Sequence, residues 1–276
     1  MDGSPPATLE EKRRALLRLR LQREREEALA RRKGAPSARE GRLPGADQQT
    51  ASPIVPLRTD GTKPPLFLVH AAGGSVAPYV ALAALLGDDQ PVYALEDPGL
   101  HGGATEERRL PGLAAAYLAA VREVQPEGPL HLGGWSVGGA VAFEMARQDG
   151  DAAVTLVIDT GIPDAPYRPG DEELRARFAD DVAAMGAEPG EAEVAERFPV
   201  FAANVRALLM FQPSPVDGRV VVLCAEDSEP GKLDRWRACA DEIHVLRGDH
   251  YTMLRPPHIE ALADVMRDRL SEVSVR

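Results

Sequence analysis

Residues 134–138 read Gly134-Trp135-Ser136-Val137-Gly138, a G-x-S-x-G sequence between an apolar run and a helical pattern. Such a sequence is typical of a tight, strained turn from a strand into a helix, with the serine exposed at its tip. Larger side chains in place of the two glycines would collide with the adjoining strand and helix. The five residues therefore predict a nucleophilic serine at a strand-to-helix turn.

On both sides of this turn, short apolar runs alternate with longer helical patterns. Several runs are almost wholly apolar, which is typical of parallel strands covered by helices on both faces. With the turn at Ser136, the pattern predicts an α/β-hydrolase fold over residues 64–276, with a mostly parallel sheet and helices on both faces. The predicted strands cover residues 66–70, 91–95, 129–135, 153–159, 219–225 and 242–246.

Length and composition are those of an ordinary globular protein. The 276 residues suffice for one large α/β domain, and 44% of them are hydrophobic and 27% charged. No apolar run reaches the length of about eighteen residues that a membrane-spanning helix needs. The first residues after Met1 lack the charged and apolar segments of a secretory signal. We therefore expect a cytoplasmic protein that does not cross a membrane.

The N-terminal arm, residues 1–45, differs in charge from the rest of the chain. It contains 12 Lys and Arg against 7 Asp and Glu, which leaves 20 basic and 36 acidic residues elsewhere. The acidic body disfavours nucleic acid as a partner. A capping box at Thr8-Leu9-Glu10-Glu11 and the absence of Gly and Pro from 9–33 predict a basic helix, followed by a linker over 46–63. This helix is either a solvated leader or an element that docks on a partner protein.

A serine hydroxyl needs a base within hydrogen-bond reach. In this fold the base follows the last strand, in the chain order Ser, Asp, His. Among the six histidines, His250 alone follows the strand at 242–246 and precedes the final helix. We therefore predict His250 as the base of Ser136.

Two aspartates compete for the acid of the triad. Asp159 ends the strand that follows the nucleophile helix, and Asp227 follows the next strand. Neighbouring parallel strands lie only about 5 Å apart, so either carboxylate can reach the imidazole. The common position of the acid in this fold favours Asp227.

The loop at residues 70–74 (HAAGG) follows the first predicted strand of the body. In this fold that loop supplies one oxyanion-hole amide, and the residue after the nucleophile supplies the other. We predict the amides of Ala72 and Val137, with Ala71 as the alternative to Ala72. His70 is predicted to position this loop rather than to act as the base.

The two cysteines, Cys224 and Cys239, lie in or beside apolar runs. They lack the C-x-x-C spacing and the neighbouring histidine pair of a metal site. We interpret both as reduced core residues and predict no metal site.

Several segments resemble the thioesterase domains that end nonribosomal peptide synthetases and modular polyketide synthases. They occur in the expected order from about residue 64 to residue 270, and include LFLVHAAGG, PVYALEDPGL, GGWSVGG, TLVIDTGIP, FAANVRALLMFQP and GDHYTML. The resemblance implies an α/β-hydrolase fold with a mobile helical lid, here at about 163–213. Residues 9–17 of the arm also resemble short segments between synthetase domains.

The resemblance implies a reaction. Ser136 would take an acyl, polyketide or peptidyl chain from the 4′-phosphopantetheine thioester of a carrier protein. Hydrolysis or macrocyclisation would then release the chain, in secondary-metabolite (antibiotic) biosynthesis. The carrier would bring the only cofactor, with none bound by the chain itself, and the N-terminal arm is a possible docking element for it. The family's acid sits in a step like Asp159-Thr160, which moves the prediction to Asp159 and keeps Asp227 as the alternate.

Helical patterns at 171–186 and 191–212 form the implied lid. Their apolar side chains can shape a channel for a hydrophobic chain, or can simply pack the helices together. The predicted channel residues are Phe178, Met185, Phe198, Phe201 and Met210.

The sequence also departs from the family pattern. Editing (type II) thioesterases usually carry Gly-His-Ser where this chain has Gly134-Trp135-Ser136, which favours chain release over editing. Ala71 stands where many relatives have proline, and the start at Met1 suggests action in trans. A type II thioesterase, a generic esterase and a catalytically silent carrier-binding module are the alternatives.

Overall fold

A computed structural model describes residues 52–103, 105, 108–186, 191–228, 231 and 234–273. The helix predicted in the arm at 1–45 and its docking role lie outside the described residues. Within the described ranges, no helix combines the length and the hydropathy needed to cross a bilayer.

A seven-stranded sheet in the order β1-β3-β2-β4-β5-β6-β7 forms the centre of the fold. Strand β1 is antiparallel to β3, and all other neighbours are parallel. The strands are β1 (Ile54–Arg58), β2 (Leu66–Val69), β3 (Val92–Leu95), β4 (Leu130–Trp135), β5 (Ala152–Ile158), β6 (Arg219–Ala225) and β7 (Glu242–Leu246).

Helices cover both faces of this sheet, as the continuous apolar strands predicted. The helices are α1 (Tyr79–Leu85), α2 (Leu110–Val124), α3 (Val137–Asp149), α4 (Asp171–Ala184), α5 (Glu191–Leu209) and α6 (Ile259–Val273). One buried cluster contains residues of α2, α3, α4 and α5, and the other contains residues of α1 and α6. The predicted α/β-hydrolase layout with a helical insertion is confirmed.

All six predicted strands are present, and the bounds of β6 and β7 are the predicted ones. The insertion helices α4 and α5 end two and three residues earlier than predicted, at Ala184 and Leu209. Gly186 has a φ of +70° beyond the end of α4, and Pro213 lies shortly beyond α5. Both residues disfavour continuation of the helix.

Strand β1 lies inside the segment that the sequence predicted as a linker over 46–63. Its five residues extend the sheet beyond β3 in antiparallel register, with an irregularity between Pro56 and Arg58. Proline is tolerated at a sheet edge because its missing N–H can face away from the ladder. The short strand and its proline hid this element in the sequence pattern, and the linker prediction is wrong for Ile54–Arg58.

Helix α3 crosses the ends of β2 and β4 at very short range. A Cβ on Gly138 would lie 2.1 Å from the carbonyl oxygen of Val69, and one on Gly134 would lie 2.3 Å from the carbonyl carbon of Gly138. The glycines are therefore required by backbone-to-backbone packing, as predicted from the G-x-S-x-G sequence.

Replacing Gly138 by alanine should lower the free energy of unfolding by about 3 kcal/mol, since backbone on both sides must shift to admit the methyl group. Gly112 in α2 is the matched control, because a Cβ there would meet no atom within 4 Å. Gly112→Ala should instead raise stability by about 0.5 kcal/mol through helix propensity and a less flexible unfolded chain. Urea unfolding of both variants measures the difference, and equal effects would contradict the close crossing.

His131 on β4 is buried, with 3% of its surface exposed. Its Nδ1 atom has no hydrogen-bond partner among the described residues. Burial lowers the pKa of His131 from 6.5 to about 4. At a pH between these two values, His131 is therefore protonated in the unfolded chain and neutral in the folded protein.

This shift predicts a loss of stability in acid. The stability is fully present above pH 6.5, the pKa of the unfolded chain, and is lost as the pH falls toward about 4. Between pH 7 and pH 5, the free energy of unfolding should fall by about 2 kcal/mol more in the wild type than in His131→Leu. Urea unfolding at the two pH values tests this, and parallel losses in both proteins would refute the assignment.

Candidate active site

Ser136 occupies a strained turn between β4 and α3. Its backbone has φ 59° and ψ −125°, a conformation that costs a non-glycine residue on the order of 1–3 kcal/mol. Hydrogen bonds hold the turn on both sides: the Ser136 amide donates to Ile158 O at 2.9 Å, and its carbonyl accepts from Thr160 Oγ1 at 2.7 Å. The nucleophile elbow predicted from the sequence is therefore present.

His250 lies after β7 and meets a carboxylate from the end of β5. Its Nδ1 atom is 2.5 Å from Oδ2 of Asp159, which is fully buried at its side chain. A carboxylate only accepts hydrogen bonds, so Nδ1 carries the proton in this contact. The neutral imidazole then presents Nε2 as a proton acceptor.

Other groups hold the Asp159 carboxylate in place. Its Oδ1 atom accepts from the Ala225 amide at 3.0 Å and from Ser228 Oγ at 2.6 Å, with the thiol of Cys224 at 3.5 Å. The backbone of Asp159 has a φ of +44°, and its amide donates to Leu223 O at 2.8 Å. These donors stabilise the ionised carboxylate, and the unusual backbone directs it from the end of β5 toward His250.

Asp227, the alternate acid, lies differently. Its side chain is exposed, and its amide donates to Gly248 O at 3.2 Å. The loop after β6 instead supplies Ser228, which contacts Asp159. The structure thus brings Asp159 and His250 together. The carboxylate that contacts the imidazole comes from the end of β5, and not from the position after β6 that is common in hydrolases of this fold.

Two aromatic residues that the sequence reasoning did not assign surround His250. Trp135 Nε1 donates to the His250 carbonyl at 3.0 Å, and the two rings lie 4.9 Å apart. Tyr251 meets the imidazole edge-on at 5.0 Å, and its hydroxyl donates to Asp181 of α4 at 3.0 Å. Burial, followed by the Asp181 charge, raises the pKa of Tyr251, so this hydroxyl keeps its proton. Adjacency to Ser136 and His250 was the only sequence signal for these two residues.

The loop at residues 70–74 lies over the start of α3. The carbonyl of Ala71 accepts from His70 Nδ1 at 2.7 Å and from the Gly74 amide at 2.9 Å. Because a trans peptide is planar, the amide N–H of Ala72 points to the opposite side of the same peptide unit. Val137 is the first residue of α3, so its amide has no acceptor inside the helix. The amides predicted for an oxyanion hole thus come from two elements that the structure packs together.

His70 itself is fully buried, and burial lowers its pKa below the ordinary value. With Nδ1 donating to Ala71, its Nε2 accepts from the Tyr117 hydroxyl at 2.6 Å. Both ring nitrogens are therefore engaged inside the protein. This geometry suits a positioning residue and leaves His250 as the histidine beside the elbow.

The predicted channel residues fall into two groups. Phe178, Phe198 and Phe201 are buried. Phe198 and Phe201 of α5 each meet Phe178 of α4 edge-on, with ring centroids 5.8 and 5.2 Å from that of Phe178. Met185 and Met210 follow the ends of these helices and are 42% and 52% exposed. The phenylalanines pack the two helices together, and the channel itself stays a prediction.

Sequence comparison relates the chain to synthetase domains. The family model described as "Thioesterase domain" matches residues 64–270. A dimodular nonribosomal peptide synthase of Bacillus subtilis (strain 168) is 40% identical over 164 residues, which are 55% of this chain and 7% of that protein. The chain thus spans a small part of the length of this relative.

Solved structures show the same similarity. The NocB thioesterase domain, in covalent complex with a fluorophosphonate nocardicin G analog, superimposes with a TM-score of 0.67 at 30% identity, over 79% of this chain and 99% of that domain. The type II thioesterase BorB from the borrelidin cluster has a TM-score of 0.65 at 23% identity, over 81% of this chain and 100% of BorB, and so shows the fold alone. With a family match over three quarters of its length, this chain belongs to the thioesterase domain family.

Proposed function

We propose that this chain is a serine thioesterase that releases an acyl, polyketide or peptidyl chain from the phosphopantetheine thioester of a carrier protein. The observation that carries the proposal is the contact of 2.5 Å between His250 Nδ1 and the buried Asp159, beside the elbow that holds Ser136. The similarity to thioesterase domains of nonribosomal peptide synthetases supports the substrate class.

In the first half-reaction, Ser136 Oγ attacks the thioester carbonyl carbon while His250 Nε2 takes the hydroxyl proton. Asp159 holds the imidazole in the required tautomer and stabilises the imidazolium that forms. The amides of Ala72 and Val137 donate to the developing oxyanion. The tetrahedral species then expels the phosphopantetheine thiolate, which takes the proton from His250 and leaves an acyl-serine.

In the second half-reaction, His250 takes a proton from the nucleophile that attacks the acyl-serine, and it returns this proton to Ser136 Oγ as the bond between Oγ and the acyl carbon breaks. Water as nucleophile gives a free acid, and a hydroxyl or amine of the bound chain gives a ring. The released chain belongs, in this proposal, to secondary-metabolite (antibiotic) biosynthesis. The same chemistry needs no cofactor bound by the thioesterase itself, and the 4′-phosphopantetheine arrives with the carrier.

The carrier protein is the proposed partner, in the cytoplasm, with the basic arm at 1–45 as its proposed docking element. The body beyond the arm carries 20 basic against 36 acidic residues. The basic arm would therefore attract an acidic partner, whereas the acidic body would repel it.

Intact-mass measurement tests the proposed acyl-serine. Incubation with a fatty-acyl carrier-protein domain should add the acyl mass to the wild type and discharge the carrier, because Ser136 takes the chain. Ser136→Ala should show neither effect. Ser214 is exposed beyond α5, and Ser214→Ala serves as the matched control that loads like the wild type.

Two outcomes would contradict this proposal. Rapid hydrolysis of a p-nitrophenyl ester of the same acid, without discharge of the carrier, would indicate a generic esterase. Carrier binding without any acyl adduct or turnover would indicate a silent binding module.

The acid of the triad is tested by Asp159→Asn against Asp227→Asn. Asparagine keeps the shape of Asp159 but cannot hold the imidazole in the required tautomer, so kcat should fall roughly 10³- to 10⁴-fold. Asp227 is exposed, and its variant should stay within about twofold of the wild type. Steady-state hydrolysis of a small acyl thioester measures both, and a larger loss in Asp227→Asn would overturn the assignment of Asp159.

A further inference from the structure

A buried polar cluster lies between helix α5 and the loop at residues 70–74. It consists of His70, Asp97, Arg108 and Asn204. The side chains of His70 and Asp97 are inaccessible to solvent, that of Arg108 is 9% exposed, and Asn204 is fully buried. Buried polar groups of this kind persist only when hydrogen bonds replace the water they lose.

Asn204 is the member that α5 contributes, and both the nitrogen and the oxygen of its amide form hydrogen bonds. Nδ2 donates to the Ala72 carbonyl at 3.1 Å and to Asp97 Oδ2 at 2.8 Å. Oδ1 accepts from Arg108 at 2.7 Å. The two acceptors and the single donor fix which end of the amide faces the loop.

The contact with Ala72 completes the restraint of that residue. The peptide unit before Ala72 is held through the Ala71 carbonyl, which accepts from His70 and Gly74. The peptide unit after Ala72 is held by Asn204 through the Ala72 carbonyl. The N–H of Ala72 belongs to the unit before this residue, because a peptide unit is planar. With the unit after Ala72 also held, both backbone torsions of Ala72 are fixed, and the N–H cannot turn relative to the following chain.

Asp97 restrains the far end of the same loop. Its amide donates to Gly74 O at 2.9 Å, and its carboxylate pairs with Arg108. Burial opposes the ionised carboxylate, but hydrogen bonds from Arg108 and Asn204, with the charge of Arg108, outweigh it and lower the pKa of Asp97. The charge therefore stays in place as a fixed acceptor.

Helix α5 also approaches the loop through an apolar side chain, Val200. A Cβ on Gly74 would lie 2.9 Å from Cγ1 of Val200, one turn before Asn204. The loop and α5 thus meet at two points, one apolar and one hydrogen-bonded. Neither point belongs to the catalytic Ser136, His250 or Asp159.

We propose that Asn204 is a positioning residue through which helix α5 of the insertion sets the direction of the Ala72 amide in the oxyanion hole. This inference rests on the proposed function, since it takes that amide as a donor to the thioester oxyanion. In this proposal the insertion has a second role besides forming a channel for the acyl chain. The contact of α5 with the loop is required for the Ala72 amide to stabilise the transition state.

Acyl-chain length separates this role from a role in shaping the channel. The oxyanion is common to every acyl thioester, whereas channel walls contact only long chains. Loss of Asn204 should therefore lower kcat for acetyl and decanoyl N-acetylcysteamine thioesters by the same factor, with KM little changed. Removing an oxyanion donor outright costs roughly 10²- to 10³-fold, and misdirecting one of two donors should cost roughly 10- to 100-fold.

The experiment compares Asn204→Ala and Asn204→Asp with the wild type. Aspartate keeps the side-chain volume and the acceptor for Arg108, but it loses both donations, to the Ala72 carbonyl and to Asp97, and it faces the Asp97 carboxylate. Alanine loses the same donations without adding a charge, so a loss of kcat common to both variants reports the missing donor. Arg206→Ala is the matched control on the same helix, because the partly exposed Arg206 pairs with Asp171 of α4 and, among the described residues, forms no hydrogen bond or ion pair with the loop. All rates are expressed per active site, titrated with a fluorophosphonate, so that a misfolded fraction cannot imitate a loss of kcat.

Equal losses for both acyl lengths in both Asn204 variants, with Arg206→Ala unchanged, are the expected result. A loss confined to the decanoyl thioester, or kcat per titrated site equal to that of the wild type, would overturn the positioning role. Failure of the proposed function looks different: the wild type itself would neither be titrated nor turn over the acetyl thioester.

Discussion

Helix α3 crosses the carboxyl ends of β2 and β4 so closely that the backbone of Gly138 lies against the carbonyls of Val69 and His70. This crossing forces the chain through the strained turn at Ser136, and it brings the loop after β2 over the start of the helix. The amide of Val137 has no acceptor inside its helix, and it lies near the loop that carries Ala72 for the same reason. The strain at Ser136 persists because burial of α3 against the sheet stabilises the fold by far more than one unfavourable backbone conformation costs.

Polar groups around the site follow a second constraint, the cost of burying charge without partners. Asp159 is buried, and its carboxylate receives donors from Ala225, Ser228 and His250. Asp97 is buried in the same way, with Arg108 and Asn204 as its donors. The two carboxylates have different tasks: one orients the imidazole, and the other anchors the loop at residues 70–74. Each satisfied network also restricts the backbone that carries it, which a site built for a transition state requires.

The helical insertion is tied to the body at both sides of the site. Helix α4 reaches the loop of His250 through Asp181 and Tyr251, and helix α5 reaches the oxyanion loop through Asn204. Between the two helices, the phenylalanine cluster of Phe178, Phe198 and Phe201 supplies apolar packing. The position of the insertion is therefore coupled both to His250, the proposed base, and to Ala72, the proposed oxyanion-hole donor.

The sequence alone predicted the fold class, the nucleophile and the base of this protein. Alternating apolar runs predicted the parallel strands, and the G-x-S-x-G sequence predicted the turn at Ser136, because both depend on residues close together in the chain. The place of His250 after the last strand also followed from chain order. The family resemblance, rather than residue pattern, moved the acid from Asp227 to Asp159.

Contacts across long stretches of chain were decided by tertiary structure alone. The choice between Asp159 and Asp227 depends on the backbone at the end of β5 and on the loop after β6, which brings Ser228 rather than Asp227 to the site. Asn204 lies 132 residues from its partner Ala72, and its only sequence signal was an amide in an otherwise apolar stretch. Strand β1 was hidden because five residues with a proline acquire strand character only from the partner they pair with. Periodicity records which face of an element is buried, whereas a hydrogen bond between distant side chains depends on how the elements are placed in space.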